Sequence, residues 1–147
     1  MPLTIKRNDE FITAEDLTKD EHLVVDSFEE HINLMLKDDW YITISFVENE
    51  IDGECMATEA FPEYRKASIE VFLPGLTEQW EYLDHYVRHE LLHIIIWNFF
   101  DIAGTLAYKN VSKALGKLEE QVIYLLEHMP LWNVLYDKQR ENKKENK

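Results

Sequence analysis

Hydrophobic residues between positions 20 and 37 return every three or four steps, at Leu23, Val24, Phe28, Ile32, Met35 and Leu36. That period predicts an amphipathic helix with its acidic residues turned outward. At Trp40 the pattern changes. Trp40-Tyr41-Ile42-Thr43-Ile44-Ser45-Phe46-Val47 is β-branched and aromatic with partial alternation, and it predicts a strand. Residues 49–53 read as a turn into a hairpin whose partner strand is 54–61. A polar crossing through Pro62, Glu63 and Arg65 leads to a third strand over 68–73, stopped by Pro74-Gly75. Residues 1–19 are polar and mixed, an opening strand or loop.

Thr77 is the expected N-cap of a long helix, with Glu78 in its first turn as the helix dipole prefers. The helix is expected to run to Ala103, with Gly104 as its stop. Its second half carries Leu91, Leu92, Ile94, Ile95, Ile96, Trp97, Phe99 and Phe100, apolar almost all round. Such a helix is the central, buried one of its domain. Residues 105–114 stay open between coil and a short helix. Leu115, Leu118, Val122, Leu125 and Met129 then mark a further amphipathic helix ended by Pro130. Residues 1–136 read as one α+β domain: an N-terminal helix, a small, mostly antiparallel sheet of about three strands, the central helix and a C-terminal helix. Residues 137–147 read as a polar, basic-leaning, flexible tail.

A length of 147 residues, 46% hydrophobic and 12% aromatic, fits a single folded domain with a real core. The charge is lopsided, with 15 Lys+Arg against 29 Asp+Glu and a net −14. A surface so acidic repels phosphate backbones and anionic lipid, which argues against nucleic-acid and membrane partners and leaves DNA mimicry a thin alternative. The single cysteine, Cys55, excludes an internal disulfide framework and a cysteine-cluster metal site. No apolar run follows the basic pair Lys6-Arg7, and uninterrupted apolar stretches such as Ile94 to Trp97 are short. Neither a secretory signal nor a membrane span is expected, so the chain reads as cytoplasmic.

Inside the central helix lies His89-Glu90-Leu91-Leu92-His93. Histidines four apart stand one turn apart on one helix face, so both imidazoles reach a single tetrahedral ion. The glutamate beside the first histidine is offset around the axis, suited to a water and not to the metal. That is the geometry of a general base in zinc hydrolysis. A shuffled chain of this composition would hold the motif about 3% of the time, so its position on the most apolar helix is what gives it weight. On an amphipathic helix the same three residues would simply face solvent. This helix leaves little polar face for them, and burying them unpartnered is costly.

On these residues the chain resembles the zincin metallopeptidases. The resemblance implies that His89 and His93 bind Zn2+ and that Glu90 polarises the attacking water. It also implies a zincin-like layout, in which an edge strand holds an extended peptide and a later helix carries the third ligand. The detailed likeness covers residues 68–128. Metzincins place a third histidine six residues after the second, and Phe99 stands there. Gluzincins take a glutamate from a later helix, and Leu118-Glu119-Glu120-Gln121-Val122-Ile123 offers two. The stretch is similar to that of minimal gluzincins and of small phage and bacterial metallopeptidase-like proteins. At 100° per residue Glu119 falls with Leu115, Val122, Ile123 and Leu126 on the core-facing stripe. A carboxylate there needs a cation, so Glu119 is the expected ligand and Glu120 the reserve. Glu120 points away, with Tyr124 and Glu127; the plainer alternative is that both acids are ordinary surface residues on a helix rim.

Gluzincins usually supply a tyrosine or histidine for the oxyanion, and Tyr108, Tyr124 and His128 are candidates, each also explicable as a packing residue. His85 shares the face of His89 and is a candidate outer-sphere residue. The strand over 68–73 is either the substrate-pairing edge or a plain core strand. The implied activity is zinc-dependent hydrolysis of peptide bonds in a peptide or protein substrate. Two rivals stand beside it. Peptide deformylases share the motif and take an upstream cysteine as ligand, which points to Cys55, although their glycine-rich loop is missing. A zincin fold can also serve as a non-catalytic interaction protein with a structural zinc.

Overall fold

The computed structural model describes residues 3–36, 40–106, 109–128 and 141, without the side chains of 98–106 and 109–115. The opening segment is a hairpin of β1 (Leu3–Arg7) and β2 (Glu10–Ile12). Asn8 and Asp9 turn it with φ of 51° and 65°, the left-handed pair that a tight two-residue turn requires. Helix α1 (Lys19–Met35) starts at Thr18, whose hydroxyl accepts from Glu21 N while the Glu21 carboxylate accepts from Thr18 N at 2.8 Å. This reciprocal cap satisfies two otherwise orphaned N–H groups. Glu21 is buried and also accepts from Arg7 Nε at 2.9 Å, tying β1 to the first turn of α1.

Strands β3 (Tyr41–Val47), β4 (Met56–Phe61) and β5 (Lys66–Phe72) complete a five-stranded sheet in the order β2-β1-β3-β5-β4. Its edge pairs, β1–β2 and β4–β5, are antiparallel, whereas β1–β3 and β3–β5 are parallel. The expected three-strand, mostly antiparallel sheet is therefore corrected to a mixed sheet of five. The expected hairpin between 40–47 and 54–61 is corrected too. Asp52 and Gly53 do turn with positive φ, but they close only the Ile51–Glu54 bridge. The chain then passes over one strand position, and β5 fills it. Ala67, Ile69 and Val71 of β5 are buried, in line with Ile42, Ile44 and Phe46 of β3. A strand with so regular an apolar face belongs inside a sheet, whereas Thr58-Glu59 at the middle of β4 suits an edge. The strand over 68–73 is thus the core alternative and not the edge.

After β5 come a short helix α2 (Leu73–Thr77), a turn of 3-10 helix at Trp80–Tyr82, and the long helix α3 (Leu83–Leu106). The predicted single helix over 77–103 is broken at its start and extended at its end. Pro74 opens a helix as readily as it closes a strand. Thr77 is no N-cap here: its hydroxyl donates back to Pro74 O at 3.0 Å, closing the last turn of α2. Gly75 suits this corner because a Cβ there would lie 3.0 Å from the Phe72 ring and 3.1 Å from Cys55 Sγ. Gly104 does not stop α3; glycine in a helix interior costs only about 1 kcal/mol. Helix α4 (Lys109–Glu127) begins earlier than Leu115, so most of the undecided span is helical. Position 108 and residues 129–140 and 142–147 lie outside the described residues, and with them nearly all of the predicted tail.

The buried face of the sheet packs with Val24, Phe28 and Ile32 of α1 and with Val87, Leu91 and Ile94 of α3, giving a single α+β domain. Ser27 Oγ donates to Asp84 Oδ1 at 2.7 Å, joining α1 to the start of α3. Helix α3 also packs against β4 and α4, which makes it the central helix. Among the described residues no helix is long and apolar enough to cross a membrane.

The Arg7–Glu21 pair carries a prediction. The Arg7 hydrogen bonds, outweighing burial and aided by the Thr18 N–H, hold the Glu21 carboxyl below its ordinary 4.5. A depressed acid stabilises the fold above its unfolded pKa and loses that contribution as pH falls through its lower folded value. Glu21→Gln should destabilise by about 2 kcal/mol at neutral pH, the worth of a charged hydrogen bond. The difference from wild type should vanish under acid, which denaturant melts on either side of the carboxylate range will measure.

Candidate metal centre

Helix α3 sets His85, His89 and His93 at four-residue intervals, and α4 lays a row of acids alongside them. His89 Nε2 and His93 Nε2 face each other at 3.2 Å. Glu120 brings one oxygen to 3.2 Å from His93 Nε2 and the other to 3.4 Å from His89 Nε2. One donor atom from each of the three residues lies within 4.8 Å of the others. Among the described residues this is the group capable of holding a metal ion.

The far side of each ring is also engaged. Glu127 Oε1 lies 2.7 Å from His89 Nδ1, and Glu119 Oε1 lies 2.8 Å from His93 Nδ1. A carboxylate accepts and cannot donate, so both Nδ1 atoms carry the hydrogen. In neutral rings both Nε2 atoms then present lone pairs to each other and to Glu120. Four acceptor atoms pointed at one another repel unless a cation lies among them. The residues fit a divalent metal: nitrogen and oxygen donors on the inside, carboxylates orienting the imidazoles from outside.

No protein-family model, curated protein or solved structure matches this chain.

The structure departs from the sequence expectation at the acidic pair. Glu119 meets the outer nitrogen of His93, and Glu120 is the acid that joins the metal-capable group. Helical position did sort the two correctly by neighbours, since Glu120, Tyr124 and Glu127 share one face and all line the cleft. What it missed is that an accessible centre lies off the core-facing stripe: the Glu120 side chain is 56% exposed and that of Glu119 only 14%.

A cleft of about 460 Å3 opens over the group, walled by α3, α4 and the approach to β4. Glu90 reaches it from beneath and is 5% exposed. Thr58 Oγ1 of β4 donates to Glu90 Oε2 at 2.6 Å. Burial raises the Glu90 carboxyl above its ordinary range, against the lowering effect of Thr58 and of the two histidines. Burial pulls the His89 imidazole down, but Glu127, Glu90 and Glu120 together outweigh it and leave the ring above its ordinary value.

Tyr124 lines the cleft, and His128 stacks on it with ring centroids 4.2 Å apart. His128 Nδ1 lies 2.7 Å from Tyr124 O, so its ring is held by the end of α4 and not by the metal-capable group. His85 lines the cleft and sits with Nε2 2.9 Å from Glu127 Oε2. Tyr108 lies outside the described residues. Cys55 is on the cleft wall but not in the metal-capable group, and burial, helped by Glu50, Glu78 and Glu54, pushes its thiol up and away from the thiolate a metal requires.

Sequence reasoning did not assign roles to Glu127, Thr58 or Tyr86. Glu127 has a faint signal, an acid seven residues after Glu120 within an apolar run. Thr58 has none, because its partner lies 32 residues away on another element. Tyr86 also lines the cleft, its hydroxyl donating to Gln79 Oε1.

Proposed function

We propose that this protein is a zinc-dependent hydrolase of peptide bonds with a zincin-type centre, in which His89, His93 and Glu120 hold the metal. The observation that carries the reading is the convergence of two Nε2 lone pairs and one carboxylate, with both Nδ1 atoms already committed to Glu127 and Glu119. Three side chains form the group and a cleft opens beside it, which suits a hydrolytic site more than a closed structural one. That favours an enzyme over an interaction protein with a structural zinc.

A Zn2+ bound there would act as a Lewis acid and supply an activated water at neutral pH. Glu90 takes the proton of the attacking water and returns it to the leaving amine. Thr58 holds that carboxylate toward the cleft by its 2.6 Å hydrogen bond. Burial makes Glu90 a stronger base than an exposed glutamate. Tyr124, which lines the cleft with Glu120, would donate to the oxyanion. β4 is the outer strand next to the motif helix, so an extended substrate would add to its free edge by backbone hydrogen bonding.

The test is metal analysis joined to a peptide-library cleavage assay. Protein purified with zinc should carry one ion per chain and cleave peptides. Chelation should abolish cleavage, and added Zn2+ should restore it. Zinc retained without cleavage of any peptide would favour the interaction-protein reading, and absence of zinc under saturating supply would remove the metal centre.

A further inference from the structure

The cleft over the metal-capable group carries charge of one sign. Glu54, Glu90, Glu120 and Glu127 line it, and among the described residues no lysine or arginine does. A divalent ion offsets only two carboxylate charges, so four carboxylates leave the cleft anionic even with a metal in place. Three of the four are already engaged. Glu90 accepts from the Thr58 hydroxyl, Glu127 accepts from His89 Nδ1, and Glu120 belongs to the metal-capable group. Glu54 is not. Its side chain is exposed just ahead of β4, and among the described residues no donor or cation meets it.

We propose that the cleft selects substrates with a lysine or arginine beside the scissile bond, and that Glu54 receives the cationic tip. This names the substrate class of the peptide hydrolase proposed above and rests on that reading.

Burial is the main reason that the Cys55 thiol and the Glu90 carboxyl lie above their ordinary values, and Glu54 adds to both. Its charge therefore reaches into the cleft from the wall. Glu50 and Glu78 push the Cys55 thiol the same way, so the wall is negative beyond Glu54 itself. Such a wall attracts a basic side chain and repels an acidic one. Shape agrees with charge. Lysine and arginine carry their tip on an apolar stem, and Met56 and Tyr86, which line the cleft with Glu54, offer that stem apolar surface. The route agrees as well. An extended peptide added to the free edge of β4, which starts at Met56, runs on past Glu54 two residues earlier. A cleft of about 460 Å3 is of a size to hold a short stretch of such a chain.

The experiment uses hexapeptides identical except at one position, filled by lysine, its neutral near-isostere norleucine, or glutamate, and scanned along the chain. Binding to zinc-loaded Glu90→Gln protein is read by fluorescence anisotropy, and kcat/KM is read with wild type. At the position that meets Glu54, the lysine peptide should bind about 5-fold tighter than its norleucine twin at low salt, the upper end for one exposed ion pair. The glutamate peptide should bind worst. The preference should shrink toward about 1 M salt, where the screening length falls to about 3 Å. Glu54→Gln should abolish it, and Glu54→Lys should favour the glutamate peptide instead. Both variants should fold, because the side chain is exposed, and both should keep wild-type zinc content, because Glu54 is outside the metal-capable group.

Equal binding of lysine and norleucine peptides at every position would overturn the proposal. So would a lysine preference that survives Glu54→Lys. Lysine-selective binding that depends on Glu54, with no cleavage by wild type, would remove the hydrolase and leave the cationic subsite standing. Cleavage without a basic preference would do the reverse, and peptides that neither bind nor are cut would remove both.

Discussion

Alanine in place of Glu120 is expected to lower Zn2+ affinity far more than alanine in place of Glu119. The two acids are adjacent in sequence and nearly opposite in what they touch. Glu120 faces both Nε2 atoms at 3.2 and 3.4 Å, whereas Glu119 reaches only the outer nitrogen of His93. Removing Glu119 frees the His93 ring to choose its tautomer, a loss of about 10–100-fold. Removing Glu120 takes away a donor with a full negative charge and should exceed that range. Because the Glu120 side chain is half exposed, its alanine variant should keep the fold, and circular dichroism will verify this. His93→Ala should likewise empty the site. Affinities in the opposite order would reassign the ligand to Glu119.

Much of this architecture was legible from periodicity. The amphipathic helix over 20–37, the strand beginning near Trp40 and the apolar central helix all rest on long, regular patterns, and each has its counterpart in the structure. Strand order was not legible. Asp52-Gly53 is a sound local turn signal, yet local turn chemistry does not say how many residue pairs follow it. Here the apolar face of β5 competed for the place beside β3 and won. The break before Leu83 was hidden for a similar reason: Pro74, Gly75 and Thr77 each have two readings, and tertiary packing selects between them.

The motif histidines were legible because four-residue spacing on a helix fixes their relation by geometry alone. The acids from α4 were legible as a set but not by role. The core-facing stripe points to Glu119, but a group that opens on a cleft is reached from solvent. In the metal-capable group the exposed acid faces the inner nitrogens, and the more enclosed acids stand behind the imidazoles. Glu119 and Glu127 follow that rule on the two sides of Glu120. Thr58 shows what spacing cannot supply, since it meets Glu90 only after β4 has taken the edge of the sheet.

Glu90→Gln is expected to keep the zinc and lose the hydrolysis. The glutamine side chain has the shape of the one it replaces, and its oxygen still accepts from the Thr58 hydroxyl that holds Glu90 at 2.6 Å. Packing around this 5% exposed position should survive, and an amide relieves the cost of a buried charge. Glu90 is not among the three metal-capable side chains, so zinc content should match wild type. What the amide cannot do is take a proton from water. General base catalysis typically contributes about 10²–10⁴-fold, and turnover should fall by that factor at unchanged zinc occupancy. Two results would redraw the site: a variant that cleaves at the wild-type rate removes Glu90 from the proton path, and one that also loses zinc makes Glu90 a ligand. Thr58→Val offers a graded companion, because it frees the carboxylate without removing it. It should slow turnover less than Glu90→Gln and leave zinc content alone, since Thr58 touches the base and not the metal-capable group.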